Sequence, residues 1–405
     1  MSEIANKKER LWTVPFLMVI LLNLFNGAAG QMSYPLVAKF TMSLGGDLST
    51  ASTAAGLMSL ASLFVCPFAG LLSDLFPRRR ILQISSVGYA ICLFLHLMAS
   101  TVPVLMGLRL LTGVFFSVNS VTAVAFSTSF IPKKRMGEGL GYASLANILA
   151  QAVGPGIGLF LAEHYGFWAN YLAAGLCALI CLLMITLFPK ESESVRDASA
   201  DGEGSKGKKK IRPENLFAPQ LTAFMLVAVL FSWGSSFLST YLALIGDERQ
   251  IAGIALFFTV YSLFMVVLRP VSGKLFDKKG VYVMVIPALA FTAVGLFLIG
   301  NAMTLPLILI ASGFMAIGQG AGVSSIQAHS IKYLGQERAG VAVSTVQIGQ
   351  NLGNAVGPMI GGLLVKPLGY KGMFSLLGGV IFVLGTGLTL IQRTAEKHSN
   401  EKRRS

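Results

Sequence analysis

Few side chains in this sequence can do chemistry, and most of them sit inside long apolar runs. Arg109 is the sharpest: it lies about 9 Å in from the end of its run, at about 1.5 Å per residue. An arginine there either snorkels to the nearer surface or faces a wet cavity, where it would bind an anion or keep a neighbouring carboxylate ionised. Four runs carry recurrent polar and aromatic groups: Asn23, Asn26, Gln31 and Tyr34; Arg109, Thr112, Ser117 and Asn119; Ser232, Trp233, Ser236 and Tyr241; Gln319, Ser324, Ser325 and Gln327. Polar groups facing lipid are costly, so these point into a cavity, between helices or back to their own backbone. Trp233 and its phenylalanine neighbours add stacking surface. No Asp or Glu occupies the middle of a run. A mobile proton would therefore rest on Glu138 or Asp74, on Asp247, Glu248 or Glu163 at run ends, on a histidine such as His96, or on the substrate itself.

The same inventory narrows the other chemistries. Cys66, Cys92, Cys177 and Cys181 all lie in apolar runs, and Cys177 and Cys181 have no histidine near them in sequence, so no metal site is expected. There are four histidines, His96, His164, His329 and His398, and no H-E-x-x-H, intramembrane carboxylate pair or Ser–His–Asp set. The sequence therefore points away from an enzyme, and no cofactor is expected. Neither charged rings nor a carbonyl filter suggest a channel.

A second pattern is written twice. "CPFAGLLSDLFPRRR" (Cys66–Arg80) and "RPVSGKLFDKK" (Arg269–Lys279) both place a proline, a glycine three later, an aspartate four after that, then a cationic cluster. A shift of 203 residues pairs Gly70 with Gly273, Asp74 with Asp277, Gly137 with Gly340, and "AVGPGIG" (Ala152–Gly158) with "AVGPMIG" (Ala355–Gly361). The chain therefore reads as two homologous halves, a pattern typical of secondary transporters. Gly70 and Gly273 would let helices approach closely. Asp74 and Asp277 would accept from amides at a neighbouring helix N-terminus, with Arg78 and Arg79 as counter-charge. Gly154-Pro155 and Gly357-Pro358 fall mid-run, where proline weakens a helix and the glycines permit tight packing. Arg269 reads as part of the same gate.

The elements that must position these groups are membrane helices. Of 405 residues 54% are hydrophobic and 12% charged, about half the charge of a soluble domain. Crossing a bilayer takes about 20 apolar residues, which gives twelve spans at roughly 13–40, 50–74, 80–100, 103–130, 138–162, 166–188, 218–246, 250–274, 281–300, 303–330, 339–364 and 370–391. The organisation expected is an N-terminal segment (1–12), a first six-helix bundle (13–188), a linker (189–217), a second bundle (218–391) and a tail (392–405). The first run is too long for the core of a cleaved signal peptide and is expected to stay as a span. The linker, with "ESESVRDASADGEGSKGKKK", cannot bury enough apolar surface to order itself. The net charge of +14 is a topology signal, because the basic clusters alternate with apolar runs instead of forming one nucleic-acid-binding face. Arg78–Arg80, Lys133–Arg135, the linker, Lys274–Lys279, Lys332 and the tail fall on one side. Lys39, Arg249, Lys366 and Lys371 fall on the other. The basic side is expected to be cytoplasmic, with both termini inside.

These motifs resemble the major facilitator superfamily. "GLLSDLFPRRRIL" (Gly70–Leu82) is similar to that family's loop 2–3 signature, "RLLTG" (Arg109–Gly113) to its fourth-helix motif, and "GPGIG" (Gly154–Gly158) to the fifth-helix motif of its 12-helix drug:proton antiporter branch. The chain departs from the pattern at Leu75 and Pro77, and Ser127–Pro132 offers no acid to pair the loop arginine, which leaves Glu138 as the substitute partner for Arg78. The resemblance implies an all-α membrane protein of two pseudo-symmetric bundles, with the first, fourth, seventh and tenth helices around a central cavity. It implies a monomeric, multi-pass secondary transporter of a prokaryotic cell membrane, working by alternating access on a small molecule. Proton-coupled efflux of drug-like or small organic compounds, anionic ones included, is the expected activity, with the proton gradient as energy source. Proton-coupled uptake, or transport of an organic anion or metabolite, is the alternative.

Overall fold

The computed structural model describes residues 12–131, 136–188, 218–335 and 339–404, without the side chains at 71, 74, 75, 128, 136–141, 144, 269–271, 273, 274, 277, 339, 340 and 397–404. The linker expected over 189–217 lies outside the described residues, as do residues 1–11 of the N-terminal segment and the side chains of Asp74, Glu138, Arg269, Gly273 and Asp277.

Local chemistry sets the helix ends. Thr13 accepts a hydrogen bond from the Phe16 amide and caps α1 (Val14–Ser33). The apolar run continues, but Pro35 has no N–H to give, so a separate short helix, α2 (Leu36–Ser43), follows. The single span expected over 13–40 is thus two helices with a break at Tyr34–Pro35. Asp47 caps α3 (Leu48–Leu75) through the Thr50 amide at 2.9 Å. Then come α4 (Arg78–Leu95) with a 3-10 turn at His96–Met98, α5 (Val102–Thr128), α6 (Met136–Tyr165) and α7 (Phe167–Leu187). The second half has α8 (Thr222–Glu248), α9 (Leu256–Lys279), α10 (Val281–Asn301) and α11 (Leu305–Leu334). Its last stretch, Ala339–Arg404, is divided by Gly369 at φ 63° into α12 (339–368) and α13 (370–404).

Ten of these stretches are long and apolar enough to cross a membrane; the one at Val341–Glu396 holds both α12 and α13, and α9 contributes the shorter apolar segment Leu256–Leu268. With α1 and α2 as one crossing, the chain makes twelve.

The repeat survives in the backbone. The 203-residue shift pairs Gly166, at φ 92°, with Gly369, at φ 63°, so both halves turn at a left-handed glycine between their fifth and sixth crossings. It also pairs Gly154, where an added Cβ would come within 2.8 Å of Gln31 on α1, with Gly357, where one would collide with Ser236 on α8. The helices run unbroken through Pro155 and Pro358. α3 and α9 run the same way, so Asp74 and Asp277, near their C-terminal ends, reach the same face, which carries Arg78–Arg80, Lys278 and Lys279.

An added Cβ at Gly70 would meet nothing within 4 Å, so Gly70 is not a point of close helix approach here. Past the end expected for the last span, at 391, α13 runs on to Arg404, and Gln392 and Glu396 are buried. Glu396 accepts from Tyr282 at 2.6 Å, from Gln392 at 3.0 Å and faces His329 at 3.1 Å, fastening α13 to α10 and α11. The expected acidic partners, Asp74 and Glu138, have side chains outside the described residues; the described partners of Arg78 and Arg79 are helix ends. Arg78 donates to the Ala125 carbonyl at 3.0 Å and the Ser129 hydroxyl at 3.5 Å, and Arg79 to the Thr186 carbonyl at 2.7 Å. Both arginines thereby neutralise the negative C-terminal ends of α5 and α7.

The halves meet at one end only, among the contacts described. Lys39 of α2 bonds Asp247 of α8 at 2.8 Å, and Lys366 of α12 bonds Asp47 at 3.3 Å. The Tyr241 hydroxyl lies 2.7 Å from the Ser52 hydroxyl and donates to the Pro358 carbonyl at 2.6 Å. Gly56 faces the Ala355 carbonyl, Gly362 faces Ser52, and Thr259 bonds the Ala152 carbonyl at 3.0 Å. All these bridges lie on the face opposite the arginine clusters or in the half of the bundle next to it.

Candidate functional site

Arg109 sits two turns into α5 and is 2% exposed. Its Cζ lies 5.9 Å from the centre of the Tyr34 ring, at the α1–α2 break, so the tyrosine covers the guanidinium as a cation–π lid. Tyr89 of α4, Tyr171 of α7 and His96 lie within the electrostatic reach of the same charge. His96 stacks on Tyr171 with ring centres 4.6 Å apart, and its Nδ1 lies 2.7 Å from the Cys92 carbonyl.

Buried polar atoms of this group lack partners: Arg109 Nε and Nη2, His96 Nε2 and the Tyr171 hydroxyl. Neighbouring Asn170, fully buried on α7, also has both amide atoms unpartnered. Buried polar groups are hydrogen-bonded in the great majority of cases, and a buried charge without a partner is costlier still. Of the acids of this half whose side chains are described, Asp47 and Glu163 are exposed. The arrangement can therefore take an anion.

The other residues expected around a cavity divide in two. Gln31, Tyr34, Trp233 and Gln327 are half-buried. Asn23 donates to its own helix at Val19 and to Ser127, Thr112 to Leu108 of its own helix, and Asn119 to Ser86 of α4 at 2.8 Å. Gln319 bonds the Phe231 carbonyl and Ser236 the Trp233 carbonyl. Asn23, Asn119 and Gln319 thus tie helices together, while Thr112 and Ser236 bond their own helices. Tyr241 belongs to the bridge between the halves, and Asn26 is buried.

Sequence reasoning passed over Tyr89, Asn170 and Tyr171. The visible signal was Asn170-Tyr171, a polar pair inside an apolar run. It also noted Lys39 and Lys366 only as stray charges, although each is bonded to an acid across the halves.

At this end, Asp47 has its carboxyl pulled down to about 2 by the Thr50 hydroxyl and amide and then by Lys366, against a small opposing effect of burial. A depressed carboxyl contributes stability above its ordinary value of 3.8 and loses it only as pH falls through about 2.

Among the described residues, helices for twelve crossings in two repeated halves, with a buried cation inside the first, define a helical membrane carrier. The chain belongs to the Major Facilitator Superfamily, whose family profile matches residues 19–302 and 224–405, and it is a membrane transporter, not an enzyme. Multidrug resistance protein 1 of Bacillus subtilis is 25% identical over 359 residues, covering 86% of this chain and 89% of that protein. The multi-drug resistance efflux pump PmrA homolog of Lactococcus lactis is 26% identical over 373 residues, covering 89% of this chain and 90% of that one. In structure, a POT family transporter in complex with 5-aminolevulinic acid matches at a TM-score of 0.78 and 13% identity, covering 96% of this chain and 98% of that chain. The nucleoside transporter NupG matches at 0.74 and 12%, covering 93% and 99%. At such identities the structural likeness is one of fold.

Proposed function

We propose that this chain exports small organic, drug-like compounds, anionic ones included, from a prokaryotic cell in exchange for protons, as a monomer working by alternating access. The observation that carries the reading is the one-sided closure of the halves. Taking the arginine-rich face as cytoplasmic, by the excess of basic residues there, both termini are inside. The bridges Lys39–Asp247, Lys366–Asp47 and Tyr241–Ser52 then seal the external face, as in a carrier waiting for cargo from within. Relatives named as multidrug resistance proteins support export. The unpaired guanidinium of Arg109 supports an anionic group on the cargo, with Gln31, Trp233 and Gln327 lining its route.

Inverted membrane vesicles energised by a proton gradient test this. Uptake of fluorescein, an anion, and ethidium, a cation, is followed with and without an uncoupler. Export predicts uncoupler-sensitive accumulation inside such vesicles, and Arg109→Ala is expected to abolish fluorescein uptake. Unchanged fluorescein uptake in that variant removes Arg109 from the mechanism. Accumulation only in right-side-out vesicles reverses the direction.

A further inference from the structure

We propose that the face opposite the arginine clusters carries a binding site for amphipathic organic cations, in a cleft between the two bundles, and that a cation held there keeps this face shut. The site is independent of Arg109; the braking effect rests on the alternating-access export reading above.

The walls come first. The cleft has a volume of about 700 Å³, within the range of pockets that enclose drug-sized molecules. One wall is a single face of α6, where Gly156, Leu159, Phe160 and Glu163 follow the i, i+3, i+4, i+7 spacing of one helix side. The other wall is the end of α8 at Gly246 and Asp247, the connection over 250–255, and the start of α9 as far as Thr259. One turn deeper on α6, the Ala152 carbonyl accepts from Thr259 at 3.0 Å and ties the walls together. Glu163, Asp247 and Gln250 are exposed, which puts the mouth at the surface. An added Cβ at Gly156 would meet no atom within 4 Å, so the α6 wall is open at that point.

The chemistry of the lining comes second. Leu159, Phe160, Ile251 and Ile254 make it apolar, and its two charged residues are both acids, with no Lys, Arg or His among them. Asp247 is bonded to Lys39 at 2.8 Å. Glu163 has no bonded partner among the described residues. The neighbouring cations are engaged elsewhere: Arg249 donates to the carbonyls of Ile299, Gly300 and Ala302, and His164 Nδ1 lies 3.0 Å from the Phe160 carbonyl of its own helix. Lys39 thus answers one of two carboxylates, and the cleft keeps one negative charge beside an aromatic ring and aliphatic surface. That is the complement of a cation with an apolar body.

The position of the cleft gives the consequence. Its walls belong to different bundles, so parting the bundles at this face takes one wall away from the occupant. A ligand with higher affinity for the closed form shifts the population toward it. A cation bound here therefore slows export.

The test measures binding of tritiated tetraphenylphosphonium to the purified full-length protein by equilibrium dialysis. The wild type is expected to bind it, more weakly as salt rises. Glu163→Gln should weaken binding about threefold to tenfold, and Glu163→Lys should abolish it. Gly156→Leu, whose side chain would stand in the cleft, should weaken it at least as much as Glu163→Gln. Glu248→Lys changes an exposed acid of the same face that does not line the cleft, and should match the wild type. The brake is read in inverted vesicles, as the share of each variant's own fluorescein uptake that this membrane-permeant cation removes. That share should be large in the wild type and small in Glu163→Lys. A wild type that does not bind, binding that survives Glu163→Lys, or an equal loss in Glu248→Lys overturns the site. Equal inhibition of wild type and Glu163→Lys overturns the brake. If the wild type takes up no fluorescein at all, the export reading and the brake fail together, and dialysis alone decides the site.

Discussion

The two bundles share a fold and a backbone repeat but divide the work unevenly. The second is nearly one solid: a single apolar cluster runs from Leu221 through Phe231, Tyr241, Phe257 and Ile308 to Phe374 and Ile381. Its unpartnered buried atoms are an indole and two hydroxyls, at Trp233, Ser262 and Thr386. The first bundle is broken into smaller clusters, around Tyr89 and Leu105 and around Leu82 and Phe126. Between and beside them lie unpartnered atoms of a guanidinium, an imidazole, an amide, a phenol and the Thr122 hydroxyl. A doubled ancestor would have carried the same interior twice; here the copy with the buried cation has the more divided apolar core, and the other has one large apolar cluster. Such polar atoms cost stability, which fits a site retained for binding.

Variants can break or sharpen this contrast. The largest effect belongs to the solid bundle: Phe374→Ala, at a position with 0% exposure, should cost about 3–5 kcal/mol. Thermal unfolding in detergent reads this, while the folded fraction keeps its transport rate. Arg109→Met should do the reverse. Transport of fluorescein should fall about tenfold to a hundredfold, the size of a charged hydrogen bond, with the melting temperature unchanged or raised. If Arg109→Met destabilises as much as Phe374→Ala, the division between the bundles fails. Gly154→Val and Gly357→Val probe the repeated contact of the fifth crossing with the first in each half. Overpacking at either should cost about 1–3 kcal/mol, and unequal losses would measure how far the halves have diverged.

A smaller effect is expected at the external bridge. Because the Asp47 carboxyl is held at about 2, its pair with Lys366 should persist on acidification from pH 7 to pH 5. Cysteine cross-linking across the Asp47–Lys366 face should therefore be pH-independent over that range, and Asp47→Asn should lower its yield modestly. The smallest effect belongs to Gly70→Ala. With no atom within 4 Å of the added methyl, the gain in helix propensity of at most about 1 kcal/mol leaves stability unchanged or slightly improved.

The fold was legible because apolar length, basic clusters and a constant 203-residue shift each depend on sequence alone. Arg109 was legible too, since a charge inside an apolar run stands out. Its surroundings were not: Tyr89 and His96 on one segment and Tyr171 on another are far from Arg109 in sequence, and only packing brings them near one guanidinium. The bonds of Arg78 and Arg79 to the carbonyl ends of neighbouring helices were not legible for a related reason, since no residue pattern displays them.

The break at Tyr34–Pro35 links the external bridge to the interior. α2 is held to the second bundle through Lys39 and Asp247, and through Leu36 packed on Ala243, while α1 belongs to the first. When the bundles part at their external face, this short rod must either let go or pivot. The residue at that joint is the one whose ring lies over Arg109, so on the alternating-access reading α2 is geometrically a crank: a stroke that opened the outer door would also lift the cover from the buried cation.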